Sequence, residues 1–298
     1  MRRGQTTLLV VVVLGAFTLL AGAAVAQEAA AEAHLLRLSF TAGEELTYRV
    51  EMNGVGSVQV MGMAQQVAVN GTLDMALKVE EITEEGNYQI LTSLDAANLG
   101  VTVDGQPVPL GQRLPGMRTV ITPRGETLSL EMLNGPATGG QMEAQLGQLL
   151  AGENFKNLLK VQRMAAFPEE AVAAGADWSG SQAEDELAEG ETPTVITTKY
   201  VCDQEFEGMS CARLQTESVI GMDALGEMAA LLAMTGATNS TSTTWFDYTA
   251  GRTRATQERA QVTLDLKLPA AMTMGAGETA LFMEMFMESR SWLLAAAE

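Results

Sequence analysis

Between residues 67 and 82 apolar and polar positions alternate with a period of two: Val67, Val69, Leu73, Met75, Leu77 and Val79 all fall on odd numbers. Such alternation marks a strand with one face buried. The parity survives Asn70-Gly71, so one continuous strand is predicted, with Gly71 at a bulge or bend and the preceding turn at Gly62. Val50, Met52, Val55 and Val58 begin an earlier strand-like mixture. Late in the chain Val262, Leu264, Leu266 and Leu268 oppose Thr263, Asp265 and Lys267, the pattern of a half-buried antiparallel strand. Glu84-Glu85-Gly86, Asp104-Gly105, Pro123-Arg124-Gly125, Glu207-Gly208 and Ala250-Gly251 each place a glycine between two strand-like runs, where hairpins need positive φ.

The period changes once. Met142, Leu146, Leu149 and Leu150, then Phe155, Leu158 and Leu159, follow helical spacing; Gly152 divides them and Pro168 ends the stretch. Residues 222–234 (MDALGEMAALLAM) read as a second short helix. The expected fold is therefore mainly β with a helical middle: a curved antiparallel sheet or half-barrel. A faint echo pairs Gly43 with Gly175, Gly86 with Gly208 and Gly125 with Gly251, at offsets of 132, 122 and 126 residues. It divides the chain into two β-meanders, 37–135 and 168–298, joined by a helical linker at 140–167.

The N-terminus carries a different signal. Arg2 and Arg3 precede an apolar run from Leu8 to Leu20, followed by Ala24-Val25-Ala26. This is the layout of an export signal, too short for a comfortable membrane span. Cleavage after Ala26 is expected, with 27–36 a flexible lead-in, 37–298 the β-rich domain, no membrane span in the mature protein, and a periplasmic or secreted location. Ala23 stands where a lipoprotein would carry cysteine.

Composition narrows the function. The formal charge of −19 becomes −21 once Arg2 and Arg3 are removed, which argues against a nucleic-acid partner and favours a soluble acidic surface. The single histidine, His34, lies in the lead-in, so no histidine-based nucleophile system or multi-histidine metal site is expected. Cys202 and Cys211 flank one predicted hairpin. With Glu205–Gly208 as a four-residue turn the two face each other, and in an oxidising compartment a structural disulfide follows. Among 37 acids a hydrolytic carboxylate pair is conceivable, but the aromatic platforms usual in glycoside hydrolases are scarce. Eighteen methionines include Met61-Gly-Met63, Met272-Thr-Met274 and Met283-Glu-Met285-Phe-Met287. Sulfurs at period two share a strand face, an arrangement open to Cu(I) but expected first of an adaptable apolar surface.

LSFTAGEELTYRVEM (39–52), the run from Phe167-Pro168 to Gly175-Ala-Asp-Trp178, and TWFDYTAGRTR (244–254) resemble an uncharacterised class of exported bacterial β-rich proteins. That class has a Gly-x-x-Trp or Tyr strand opener and an aromatic-Asp-x-x-x-Gly hairpin, here Phe246-Asp247 to Gly251. The architecture is also similar to the half-barrels of lipoprotein carriers, where a sheet wraps around helices. The resemblance implies no catalytic, cofactor-binding or metal-binding residues. The expected function is a non-enzymatic exported protein that binds or shields an apolar ligand such as lipid. The alternatives are a ligand-free envelope-interaction module and a hydrolase with an unrecognised carboxylate pair.

Overall fold

A computed structural model describes residues 32–60, 63–108, 116–133, 165–181, 194–221, 235–268 and 279–294. They form twelve strands: β1 (Glu45–Val60), β2 (Met63–Ile82), β3 (Tyr88–Val103), β4 (Gln106–Val108), β5 (Met117–Ile121), β6 (Thr127–Met132), β7 (Asp177–Ser181), β8 (Val195–Phe206), β9 (Met209–Gly221), β10 (Thr235–Asp247), β11 (Arg252–Leu268) and β12 (Thr279–Leu293). All belong to one open antiparallel sheet in the order β6-β5-β3-β2-β1-β12-β11-β10-β9-β8-β7, with β4 beside β3. Strands β1–β6 and β7–β12 each run up and down in sequence, and the two sets meet where β1 pairs with β12.

This corrects the expected fold class. The described residues contain strands and no helix, and one continuous sheet replaces two meanders joined by helices. Residues 140–164 and 222–234, where helices were expected, lie outside the described residues. The described end of the first stretch, Ala165–Phe167, is irregular. There the Phe167 N–H donates to Arg124 O at 2.9 Å, a bond to a sheet turn instead of to a preceding helical turn.

The alternation of residues 67–82 holds. Strand β2 is continuous, and the pairing Val60↔Met63 brackets the turn expected at Gly62. Gly71 sits beside a register shift between Thr72 and Asp74 with φ 133°, and a Cβ there would lie 2.1 Å from Asn98 O. The long strand bends at the one residue that clears its neighbour.

One end of the sheet curls tightly. The Leu38 N–H donates to Pro123 O at 2.7 Å, in the β5–β6 turn, and the next residue, Ser39, donates to Gly251 O at 2.9 Å, in the β10–β11 turn. In a flat sheet β5 and β11 would stand five strand spacings apart, about 24 Å. Bonds from two consecutive residues hold the turns within roughly 10 Å. The sheet therefore wraps around residues 34–40, which act as a plug. Leu36 packs with Phe167, Tyr200, Ala212, Leu214 and Phe246; Leu38 joins that cluster to a second one of Val79, Tyr88 and Ile90. His34 exchanges two backbone bonds with Val172. The expectation of a loose lead-in running to residue 36 thus stops short of His34, because Leu36 is a core residue with 1% exposure.

Candidate functional site

The strand register sorts side chains between two faces. On β1 the core residue Tyr48 places Met52, Gly54, Gly56 and Val58 inward; β2 contributes Val67, Val69 and Leu73, and β3 contributes Leu99, Val101 and Val103. On β12 the inward residues are Met283, Met285 and Met287, opposite Val58, Gly56 and Gly54 on one side and Leu264, Val262 and Ala260 on the other. The sulfur row that spacing predicted on β12 is therefore real. A Cβ on Gly54 would approach Met287 Cγ to 3.2 Å, and one on Gly56 would approach Met285 Cα to 2.8 Å, so the glycines make room for the methionines. Met63 lies at the exposed tip of β2; Met61, Met272 and Met274 fall outside the described residues. These inward positions of β3-β2-β1-β12-β11 are apolar and mostly half-buried, and they extend away from the plug toward the opposite end.

The inner face changes character across β11. One row of cross-strand neighbours reads Thr198–Thr216–Ser242–Glu258–Ser289, and the next Ile196–Ser218–Ser240–Ala260–Met287. Thr198 and Thr216 bond at 3.0 Å, Ser218 and Ser240 at 2.9 Å, and Thr244 and Thr256 at 3.3 Å. Sequence patterning did not pick out these hydroxyls, because serine and threonine score as polar outside residues until the register shows which way they point.

The cysteines depart from expectation. The β8–β9 turn is a two-residue one, Glu207-Gly208, with φ of 52° and 81°, a type I′ geometry. It pairs Gln204 with Cys211 and Cys202 with Arg213. The register is two residues from the one assumed, so the cysteines are diagonal neighbours, a separation of about 7–8 Å that exceeds ordinary disulfide reach. The disulfide expected between Cys202 and Cys211 is therefore corrected: both cysteines are free. Burial, and then the Asp247 carboxylate, push the Cys211 thiol up to about 11, with Arg254 opposing. Under native conditions at pH 8 an alkylating reagent should label the half-buried Cys202 and spare Cys211, and denaturation should expose two thiols. A denatured protein with no titratable thiol would show that the bridge forms after all.

His34 sits in a built environment, contrary to its placement in a lead-in. It stacks on Tyr248 with ring centroids 3.9 Å apart, and its Nε2 lies 3.5 Å from Asp203 Oδ1, which accepts the Tyr200 hydroxyl at 2.5 Å. The cluster anchors the plug to β8. Its members among the described residues are His34, Tyr248, Asp203 and Tyr200.

The acids resolve similarly. Glycoside hydrolysis by two carboxyls needs one kept protonated by a raised pKa. The surroundings of Glu45, Asp74, Glu80, Glu85 and Asp247 move their carboxyls down instead. Bonds from Lys78, Arg49 and Arg118 lower Glu45, Asp74 and Glu80, and the Thr83 side chain lowers Glu85. At Asp247 burial pushes the pKa up, and bonds from Ala250 N, Arg254 and Thr249 N more than offset it. Among the described residues no three His, Cys, Asp or Glu side chains are placed to hold a metal ion. A depression of about 470 Å³ is lined mainly by polar and charged side chains, including Glu51, Glu288 and Arg259, the last two an ion pair at 2.9 Å, and it also touches Ser242, Glu258 and Ser289. No helix among the described residues is long and apolar enough to cross a membrane.

No family model matches the chain, and no curated protein matches it. Among solved structures, one of lipid–protein interactions in lipovitellin aligns with 87% of this chain at 11% identity and a TM-score of 0.30. The chain spans 26% of that protein. The crystal structure of the hypothetical lipoprotein YmcC from Escherichia coli (K12) aligns with 78% of this chain and 85% of its own length, at 10% identity and a TM-score of 0.21. At these scores neither likeness bears on what this chain binds.

Proposed function

We propose that this chain is an exported, non-enzymatic binding protein that holds a lipid or another apolar ligand against the inner face of its sheet. The observation that carries the reading is the continuous apolar surface across β3-β2-β1-β12-β11, with its methionine row set against Gly54 and Gly56. Half-buried apolar area of this extent gains stability when it leaves water. Methionine adapts to irregular apolar partners better than branched side chains do. The acidic composition supports the solubility of an exported chain. Arg2 and Arg3, the Leu8–Leu20 run and Ala24-Val25-Ala26 support export, with a mature chain beginning at Gln27.

Native mass spectrometry of protein gently purified from the exported fraction tests the reading. The expected result is a mature mass starting at Gln27 with a co-purifying lipid, and binding of a fluorescent long-chain fatty acid. Placing a charge at the centre of the face, Met285→Asp, should weaken that binding at least tenfold. A clean unliganded mass together with no binding of the fatty acid probe would remove the proposal.

A further inference from the structure

The inner face is amphipathic along its rows, and this identifies the ligand class more narrowly than apolar surface alone. The inference rests on the reading of that face as the ligand site. From β8 to β11 the inward positions include Thr198, Thr216, Ser218, Ser240, Ser242 and Thr256, and Ser289 of β12 ends one of these rows; the rows through Met287, Met285 and Met283 are apolar from β11 to β1. The row that starts with the hydroxyls of Ser218 and Ser240 continues through Met287 to Val69 and Val101. Measured along the sheet, β10 to β3 covers five strand spacings, about 24 Å, the scale of an extended acyl chain with its head at one end.

The polar end carries hydrogen-bonding capacity that the protein leaves partly unused. A hydroxyl offers one donor and two acceptor positions, and each of the three hydroxyl pairs uses one donor and one acceptor between its members. Thr194 adds a second, independent observation. It lies one step beyond the Val195↔Val219 pair, on the inward parity of Ile196 and Thr198, with 9% exposure, and its Oγ1 has no partner among the described residues. A buried hydroxyl without a partner is costly, and valine would fill the same space without that cost. A hydroxyl there makes sense when something else completes its bond.

The charges at this end select among head groups. Phosphate and carboxylate heads are ordinarily held by arginine or lysine. No lysine or arginine occupies an inward position in the rows running from Thr198 and Ile196 to Ser289 and Met287, so no cation there would hold an anionic head. We infer that the ligand is a single-chain or similar lipid with an uncharged, hydroxyl-bearing head group, its head on the Thr/Ser rows of β8–β11 and its chain across the methionine row toward β3.

Displacement of a bound apolar dye by three ligands sharing one chain tests this: monooleoylglycerol, oleic acid and oleoyl lysophosphatidate. Monooleoylglycerol is expected to bind at least about tenfold more tightly than either anionic ligand. Thr194→Val, isosteric, and Ser240→Ala should each lower monooleoylglycerol affinity more than oleic acid affinity and so erode that preference. Equal affinities for the three, a preference for an anionic head, or an intact preference in both variants would overturn the inference while the lipid-binding reading stands. Failure of all three ligands to displace the dye would overturn both.

Discussion

Phe167→Ala is expected to destabilise the protein by about 3–5 kcal/mol, the range for truncating a fully buried phenylalanine. Its side chain is wholly buried, and its ring lies 4.7 Å from that of Phe246. It packs with Leu36, Tyr200 and Leu214, so it touches both the plug and the strands that the plug closes. Its backbone also ties the plug region to the β5–β6 turn, through Phe167 N–H to Arg124 O and Arg124 Nε to Phe167 O at 2.7 Å. The cavity left by alanine therefore opens where the curl is held, and chemical denaturation should read the loss directly. Hydrogen exchange should show the Leu38 and Ser39 amides losing protection with it, because those amides carry the bonds across the curl. A loss under about 1 kcal/mol would mean that the plug is not part of the cooperative core.

Asp247→Ala should cost a comparable amount. Asp247 is 4% exposed; its Oδ1 accepts the amides of Thr249 and Ala250 at 3.0 and 2.8 Å, and its Oδ2 accepts Arg254 Nε and Nη2 at 3.0 and 2.6 Å. Removing the carboxylate strands the Arg254 guanidinium in a part-buried site and frees two turn amides, at about 3 kcal/mol by analogy with broken buried pairs. Asp247→Asn keeps an oxygen for the turn amides and removes the charge, so it should cost less.

The pH dependence separates the two parts. Asp247 has a folded-state pKa below its unfolded value, so its stabilisation is fully present above the unfolded carboxyl value, near 4. It is lost as pH falls through the folded value. Wild-type protein should therefore lose stability steeply below about pH 4, and Asp247→Asn should show a shallower acid limb. Equal slopes in the two proteins would show that Asp247 is not a linked group.

Much of the sheet is visible in the residues. The odd parity of 67–79 carries across Asn70-Gly71 and returns as β2, and the glycine turns at 86, 105, 125, 208 and 251 all take positive φ. The motif Phe246-Asp247 to Gly251 reads as a hairpin and is one: Phe246 enters the core, Asp247 caps the turn, and a Cβ on Gly251 would strike Ser39 Cβ at 2.5 Å. The Met283-Met285-Met287 face is equally local, since a period of two needs no partner strand to be seen.

What failed to show in the residues depends on relations between distant segments. Glu207-Gly208 marks a turn but not its length, and a two-residue turn in place of a four-residue one shifts the cross-strand register by two and separates Cys202 from Cys211. His34 and Leu36 look like a loose polar lead-in until Val172, Phe167 and Tyr248 arrive from more than 130 residues away. The serines and threonines of β8–β11 carry no sign of facing inward, because alternation identifies two faces without saying which is covered. Alternation and turn chemistry act over a few residues, so the chain alone determines the strands and their facing sets. Register, curl and the covered face arise from pairing across the whole sheet, and only there do the methionines and the hydroxyls become two ends of one surface.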